Sequence, residues 1–219
     1  MDAIIAPSML SADFGKMYEQ TELVNGSPAG WFHLDIMDGV FVPNISFGFP
    51  VVKAIASRAA KPMDAHLMIV NPEKYIERFA SLGVEWLSIH YEAVPRSRMM
   101  KTIALIKSCG MKAGIAINPA TPVEVLIEYL HVIDYVVVMG VNPGFSGQKF
   151  FEETTEKVSV LSEMIAASET DVMIQVDGGV GVSNIKSLYD AGARCFVAGS
   201  AVMSQPDPVH AMEDLLSAL

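Results

Sequence analysis

Short apolar runs alternate with amphipathic stretches along the whole chain. The apolar runs have the length and composition of buried strands, and they predict eight strands at Ile4–Leu10, Trp31–Met37, Met63–Ile69, Trp86–His90, Ala113–Asn118, Tyr135–Val141, Val172–Asp177 and Cys195–Ala201. The stretches between them predict helices, among them Pro72–Leu82, Met99–Cys109, Pro122–Leu130, Glu152–Ala167 and Ser183–Ala191. Eight β-then-α units in 219 residues predict a single domain over residues 1–219, an α/β fold of the (β/α)8 TIM-barrel class.

The longest irregular stretch, Asp38 to Pro50, follows the second predicted strand. It contains Gly39, Pro43, Asn44 and Gly48, which are residue types common in turns. In a barrel of this class, the loops that follow the strands surround the active site. We therefore expect this loop to act as a lid over the site.

The overall composition narrows the classes of function. The chain is 51% hydrophobic and 18% charged, with a formal net charge of −10 at pH 7, which disfavours nucleic acids and anionic membranes as partners. No apolar stretch reaches the roughly 20 residues of a membrane span, and the first residues lack the basic region of a secretory signal. Cys109 and Cys195 lie far apart in apolar surroundings. We expect two unpaired core cysteines and a cytoplasmic protein.

Four ionisable residues, His33, Asp35, His66 and Asp177, interrupt the apolar runs of predicted strands. Buried ionisable groups are costly unless they are paired or bind a metal, although any one of these residues taken alone fits a satisfied core histidine or a capping aspartate. Together, two imidazoles and two carboxylates form a ligand set for one divalent ion, and Zn²⁺, Fe²⁺, Mn²⁺ and Co²⁺ all stay open. His90, on the fourth predicted strand, is a candidate for supporting that ligand set.

Glycine-rich segments follow the last three predicted strands, with NPGFSG at 142–147, DGG at 177–179 and AGS at 198–200. Glycine lets a backbone N–H approach a phosphate closely, and the loops after the seventh and eighth strands are the usual phosphate site of this fold. An acidic protein can hold a phosphorylated substrate in this way without a basic patch. The alternative is that the glycines serve only tight turns, and for Gly144 and Gly147 the sequence leaves both interpretations open.

Methionine is abundant, with 14 copies, and three of them fall at predicted strand ends beside the polar residues. These are Met37, Met68 and Met139. Methionine ordinarily fills gaps in a core. At these positions we expect an apolar lining that excludes water from a reacting carbon.

Seven segments, in order over nearly the whole chain, resemble the ribulose-phosphate 3-epimerase family: IAPSMLSADF, HLDIMDGVFVPNISFG, DAHLMI, NPATP, VNPGFSGQKF, VDGG and VAGSAV. The resemblance implies a (β/α)8 barrel that interconverts D-ribulose 5-phosphate and D-xylulose 5-phosphate in the pentose phosphate pathway. It also implies that His33, Asp35, His66 and Asp177 bind a divalent metal ion, with Asp35 and Asp177 as the acid/base pair. The implied substrate and phosphate contacts are Ser8, His66, Gly144, Phe145, Ser146, Gly147, Asp177, Gly178, Gly179, Gly199 and Ser200.

The sequence departs from the common family pattern at Ser146, where a glycine is frequent, and at Gln175, where a glutamate is frequent. D-allulose-6-phosphate 3-epimerase is the closest alternative, but the segments SADF, NISFG and NPGF favour the pentose phosphate. A sugar-phosphate lyase or decarboxylase typically uses Lys or Arg near the reacting carbon, and no predicted strand end offers one. A non-catalytic scaffold would be expected to lose one of the four ligands. Apolar helix faces predict a homo-oligomer.

Overall fold

Eight parallel strands form the centre of the fold, and the computed structural model describes residues 3–219. The strands are β1 Ile4–Pro7, β2 Phe32–Met37, β3 Met63–Met68, β4 Trp86–His90, β5 Lys112–Ile117, β6 Tyr135–Met139, β7 Met173–Asp177 and β8 Cys195–Ala198. They neighbour one another in the order β1-β8-β7-β6-β5-β4-β3-β2. A parallel bridge between Ser8 and His33 brings the two ends of the sheet together. The predicted (β/α)8 barrel is confirmed.

The described residues also form α-helices between and after the strands. They are α1 Met17–Gly26, α2 Phe49–Ala56, α3 Ile76–Ser81, α4 Arg96–Ser108, α5 Glu153–Ala167, α6 Ile185–Asp190, α7 Ser200–Met203 and α8 Pro208–Ser217. None of these helices has the length and apolar character needed to cross a membrane. The helix predicted at Pro122–Leu130 is wrong, since only a 3-10 turn forms at Val123–Leu126. The β-branched side chains of Val123, Val125 and Ile127 lose rotamer freedom in a helix, which disfavours its extension there.

The first strand is shorter than the apolar pattern predicts. β1 ends at Pro7 instead of Leu10 because the next residues form a 3-10 turn at Met9–Ser11. The Ser8 side chain caps this turn by accepting a hydrogen bond from the Leu10 N–H. Ser8 therefore lies immediately after the strand, at the rim of the barrel.

Other boundaries also differ from the prediction, among them the end of β6, which lies at Met139 instead of Val141. β8 ends at Ala198 because α7 begins at Ser200. The loop expected to reach Pro50 ends earlier, since α2 begins at Phe49 and Pro50 lies in its first turn. Proline is tolerated there because its missing N–H would have no partner within the helix.

Side chains along each strand alternate between the helices and the barrel interior. On β2, Leu34 and Ile36 join the large apolar cluster under the helices, together with Leu67 of β3. His33 and Asp35 therefore point into the barrel interior. A second apolar cluster lies in the barrel interior. Its members are Ala6, Trp31, Ala116, Tyr135, Val137, Met139, Met173, Cys195 and Val197. This packing leaves the ionisable side chains in a layer near the carboxyl ends of the strands.

Candidate active site

The four residues predicted to bind a metal converge inside the barrel. β2 supplies His33 and Asp35, β3 supplies His66, and β7 supplies Asp177. Asp35 lies opposite His66 in the register of β2 and β3, so the two side chains project at the same level. Each of the four residues offers one ligand atom, and these atoms all lie within 4.8 Å of one another. All four residues are buried.

The atoms of this cluster pair imidazole nitrogens with carboxylate oxygens. His33 Nε2 lies 3.2 Å from Asp35 Oδ1 and 3.7 Å from Asp177 Oδ2. His66 Nδ1 lies 3.1 Å from Asp177 Oδ2 and 3.4 Å from Asp35 Oδ1. Two buried carboxylates in contact with the same two imidazoles need positive charge beside them, from protons on the histidines or from a metal ion. The donor set fits a divalent ion with N and O ligands.

The pKa values of these groups follow from burial and from their mutual contacts. Burial lowers the pKa of His33, but the neighbouring carboxylates of Asp35 and Asp64 raise it well above its ordinary value. For His66, burial again acts downward, and contacts with Asp177 and Asp35 raise the pKa. Burial alone would raise the pKa of the Asp35 carboxyl, and the two imidazoles hold it below its usual range. In the metal-free protein, the cluster therefore keeps the Asp35 carboxylate ionised.

Behind His33 lies a buried carboxylate that the sequence analysis did not select. Asp64 Oδ2 lies 2.8 Å from His33 Nδ1, and Asp64 is completely buried. Tyr135 donates its hydroxyl to Asp64 Oδ1 at 2.9 Å, and Gln175 donates its amide to Oδ2 at 2.7 Å. Asp64 therefore fixes the His33 ring with Nε2 directed at the cluster. The signal was present in the sequence, because Asp64 and His66 are two residues apart and share a strand face.

Behind His66 lies a longer chain of contacts. His66 Nε2 lies 2.8 Å from His90 Nε2, and His90 Nδ1 lies 3.2 Å from Glu92 Oε2. Burial lowers the pKa of His90 to about 4. Burial acts to raise the pKa of Glu92, but hydrogen bonds from His90, Thr121 and the Asn118 N–H lower it to about 2. His90 therefore contacts a candidate ligand, as the sequence suggested, whereas Glu92 was missed.

A cleft opens above the cluster, with about 550 Å³ of space in it when the open solvent at its mouth is included. Asp35 and Asp177 line it, whereas His33 and His66 do not and are completely buried. The other predicted contacts all line the cleft: Ser8, Met37, Met68, Met139, Gly144, Phe145, Ser146, Gly147, Gly178, Gly179, Gly199 and Ser200. Among the described residues, the lining contains no Lys or Arg. Any anion bound here would therefore be held by neutral donors, namely backbone N–H groups, hydroxyls and the side-chain amide of Gln148.

Two of the glycines are required by the packing of the chain. Gly178 has a φ of +103°, and a Cβ there would lie 2.4 Å from the Val141 side chain. Gly179 has a φ of +69°, and a Cβ there would lie 2.9 Å from Phe150. Tight packing is thus sufficient to explain why positions 178 and 179 are occupied by glycine. Gly147 has a φ of +76° with open space around it, so its turn conformation still leaves room beside the cleft.

The loop at residues 38–48 reaches the glycine-rich turn across the cleft. It is folded back on itself, with a bridge between Asp38 and Ile45. Asn44 donates its side-chain amide to the Gly144 carbonyl oxygen at 2.9 Å. Ser46 ties the base of the loop to β2 by donating its hydroxyl to the Asp35 carbonyl oxygen at 2.6 Å. The loop is therefore in contact with both sides of the site.

The fold and the cluster together define the class of protein: a (β/α)8 barrel with a buried group of imidazoles and carboxylates able to hold a divalent ion. The sequence matches the profile of the Ribulose-phosphate 3 epimerase family over residues 4–203. The chain therefore belongs to the ribulose-phosphate 3-epimerase family.

Individual relatives agree with this assignment. The chain is 43% identical to the ribulose-phosphate 3-epimerase of Synechocystis sp., over 95% of this chain and 91% of that protein. It is 42% identical to the ribulose-phosphate 3-epimerase of Bacillus subtilis, over 96% of this chain and 97% of that protein. Among solved structures, KGPDC from Streptococcus mutans has a TM-score of 0.77 at 14% identity, over 98% of this chain and 95% of that chain. That structure shares the fold.

Proposed function

We propose that this protein is a metal-dependent isomerase that inverts C3 of D-ribulose 5-phosphate to give D-xylulose 5-phosphate, a step of the pentose phosphate pathway. The observation that carries the proposal is the group of two imidazoles and two carboxylates under a cleft lined by both carboxylates. Family membership supports the choice of substrate. The absence of Lys and Arg among the described lining residues disfavours a lyase or decarboxylase that uses a cationic side chain.

Inversion of C3 requires a proton to leave one face of the carbon and another to arrive at the opposite face. Asp35 and Asp177 are suited to these two roles because β2 and β7 are separated in the sheet by β1 and β8. In one direction, one ionised aspartate takes the C3 proton and the other, protonated, returns a proton to the opposite face. The two groups exchange protonation states in each turnover, and proton exchange with solvent between turnovers restores them.

We propose His33, Asp35, His66 and Asp177 as the ligands of one divalent ion, with Zn²⁺, Fe²⁺, Mn²⁺ and Co²⁺ as candidates. The bound ion would supply positive charge beside the oxygens of the enediolate that forms when C3 loses its proton. Ser8 donates its hydroxyl to Asp35 Oδ2, which orients that carboxylate toward the cleft. Met37, Met68 and Met139 provide an apolar wall that limits access of water to the carbanionic carbon.

We assign the phosphate to the side of the cleft formed by the loops after β6, β7 and β8. The residues of this proposed subsite are Gly144, Phe145, Ser146, Gly147, Gly178, Gly179, Gly199 and Ser200. The Ser11 hydroxyl donates to Ser146 Oγ at 3.2 Å, so the serine at 146 joins the loop after β6 to the turn after β1. This contact supports a role for Ser146 in shaping the subsite.

Assembly and location stay predictions. We propose a homo-oligomer, and the exposed apolar side chains of Val40, Ile45 and Tyr75 support a surface covered by another subunit. A cytoplasmic location rests on the sequence alone. The proposed partner is a small sugar phosphate, and we propose no binding to nucleic acids or membranes.

The test is an NMR experiment on metal-loaded protein with D-ribulose 5-phosphate in D₂O, and with D-allulose 6-phosphate in a parallel sample. We expect D-xylulose 5-phosphate to appear with deuterium at C3, faster than any turnover of the hexulose phosphate. Absence of exchange at C3 of the pentulose phosphate would contradict the proposal. Faster turnover in the parallel sample would reassign the substrate to the hexulose phosphate.

A further inference from the structure

Glu92 is connected to the proposed metal site through two histidine rings. The contacts run from Glu92 Oε2 to His90 Nδ1 at 3.2 Å, and from His90 Nε2 to His66 Nε2 at 2.8 Å. The two rings are completely buried and meet edge to edge, with their centroids 4.9 Å apart and an interplanar angle of 20°, as a hydrogen bond in the plane of the rings requires. The last atom of the chain, His66 Nδ1, faces the carboxylates of Asp35 and Asp177.

Each of the two hydrogen bonds that link Glu92, His90 and His66 contains a single hydrogen atom. An ionised carboxylate can only accept, so His90 Nδ1 must carry the hydrogen that it shares with Glu92. The contact between the two Nε2 atoms then needs one donor and one acceptor. A neutral His90 with hydrogen on Nδ1 is the acceptor, so the donor is the Nε2–H of His66. When His66 gives up its second hydrogen to an incoming ion, its Nδ1 is the nitrogen left with a lone pair directed at the cluster, which is the form of imidazole that binds a metal.

Glu92 is itself held in place by a separate loop. Its Oε1 accepts the Asn118 N–H at 2.9 Å and the Thr121 hydroxyl. Lys157 supports the same loop by donating to the carbonyl oxygen of Asn118 at 2.7 Å. With Oε1 occupied by two donors, Oε2 is fixed toward His90. The loop after β5, away from the cleft, therefore determines which atom donates and which accepts in every hydrogen bond from Glu92 to His66.

We propose that Glu92, acting through His90, is a positioning residue that fixes the tautomer of His66 and so presents Nδ1 to the divalent ion. This inference rests on the proposed function insofar as it takes the cluster to be a metal site. His33 has the corresponding support in a single step from Asp64. The two ligand histidines thus each depend on a carboxylate, one in direct contact and the other through an intervening imidazole.

Glu92→Gln reverses the direction of the hydrogen bonds from residue 92 to His66 without changing the size of the side chain at position 92. The glutamine oxygen can still accept from Asn118 and Thr121, which turns its NH₂ group toward His90 Nδ1. His90 must then accept on Nδ1 and carry its hydrogen on Nε2. His66 must in turn accept on Nε2, which moves its own hydrogen to Nδ1, the proposed ligand atom. We expect the affinity for Zn²⁺ to fall by about 10- to 100-fold, the usual effect of losing such a partner.

The experiment uses the full-length protein and Zn²⁺ alone as the probe. Competition with a chelator gives the Kd for Zn²⁺, and long-range ¹H–¹⁵N spectra report which nitrogen of His66 carries hydrogen. In the metal-free wild type, at a pH high enough to make His66 neutral, we expect the Nε2–H tautomer of His66. In Glu92→Gln under the same conditions we expect the Nδ1–H tautomer, together with weaker binding of Zn²⁺. Glu124→Gln is the matched control, because Glu124 is exposed on the adjacent 3-10 turn and loses the same charge. Glu92→Asp keeps the carboxylate and should retain the wild-type tautomer.

The possible results separate the two proposals. If the wild type binds no Zn²⁺, the assignment of the cluster to a Zn²⁺ site is refuted, and this inference with it. If the wild type binds Zn²⁺ and Glu92→Gln binds it equally well with an unchanged tautomer, only the role of Glu92 is refuted. Should Glu92→Gln fail to fold, His90→Phe removes the acceptor of the His66 Nε2–H while filling the same space. Wild-type Zn²⁺ affinity in that variant would also overturn the role.

Discussion

Asp35 and Asp177 are each assigned two roles, as ligands of the ion and as acid/base groups. We expect Asp35→Asn and Asp177→Asn each to reduce epimerisation by at least about 10²- to 10⁴-fold, because an amide cannot exchange a proton with C3. The aspartate that remains can still take the proton from one epimer. Each variant that retains metal should therefore exchange deuterium into a different epimer without inverting it. NMR in D₂O measures both rates, and metal analysis reports retention.

The matched control for these variants is Asp171→Asn. Asp171 is exposed and lies just before β7, at the opposite end of the strand from Asp177. It undergoes the same chemical change away from the cleft and should keep normal activity. Near-normal epimerisation by Asp35→Asn or by Asp177→Asn would rule out the scheme with two bases.

At the scale of single residues, the sequence reveals the cluster but not its supports. His33, Asp35, His66 and Asp177 stand out because ionisable groups are unusual inside apolar strands. Asp64 carries the same signal and could have been selected. Glu92 could not, since it lies in a turn after β4 and its partners Asn118 and Thr121 come from another loop. Only the tertiary structure brings those groups together.

At the scale of elements, the function of the loop at residues 38–48 can be tested by removing one hydrogen bond. Asn44 joins it to Gly144 in the proposed phosphate subsite. We expect Asn44→Ala to raise the KM for the sugar phosphate by about 2- to 10-fold with little change in kcat, since one hydrogen bond contributes about 0.5–1.5 kcal/mol. Steady-state kinetics on metal-loaded protein measure both constants.

Asn25→Ala is a suitable comparison for that variant. Asn25 also donates its side-chain amide to a backbone carbonyl, that of Arg58, but it lies in α1 away from the cleft. It should leave KM unchanged. If Asn44→Ala lowers kcat with KM unaltered, or alters neither, the contact between the two loops does not contribute to substrate binding.

The elements themselves are mostly predictable because the apolar pattern records burial. All eight strands were predicted, since strands covered on both sides consist of nearly continuous apolar residues. Their ends were less accurate: apolar character continues past Pro7 and Ala198, where capping and helix initiation stop the strand. The helix predicted after β5 failed for a related reason, since apolar periodicity reports a buried face and does not determine whether the backbone is α-helical.

At the scale of the whole molecule, the barrel holds a concentrated set of buried charges that must be balanced. In the metal-free protein, His33 faces Asp35, Asp64 and Asp177, and these carboxylates raise its pKa despite burial. His66 faces Asp35, Asp177 and His90, and its pKa is raised as well. Protons on the two histidines thus stabilise the metal-free fold. A bound divalent ion would take their place, so metal binding should release protons and strengthen as the pH rises.

This balance gives stability a defined dependence on pH. A histidine whose folded pKa is raised contributes stability that is complete below its unfolded pKa, near 6.5, and is lost as the pH rises through the folded pKa. His90 is neutral in both states above pH 7, because its folded pKa is about 4, so it adds nothing in that range. The metal-free protein should therefore lose stability from pH 7 to 9, whereas the loaded protein should not. The difference in Tm between the two forms should grow across this range.

The expected size of the effect follows from mass action. With free Zn²⁺ at about 100 times its Kd, binding adds about 2.7 kcal/mol, or about 5–10 °C in Tm for a chain of this size. Calorimetry with Zn²⁺ and with chelator, at several pH values, measures the difference. His33→Gln should reduce both the difference and its dependence on pH, whereas His210→Gln, which alters an exposed imidazole on α8, should preserve them. A Tm difference that shrinks as the pH rises would mean that the buried histidines do not hold protons in place of the ion.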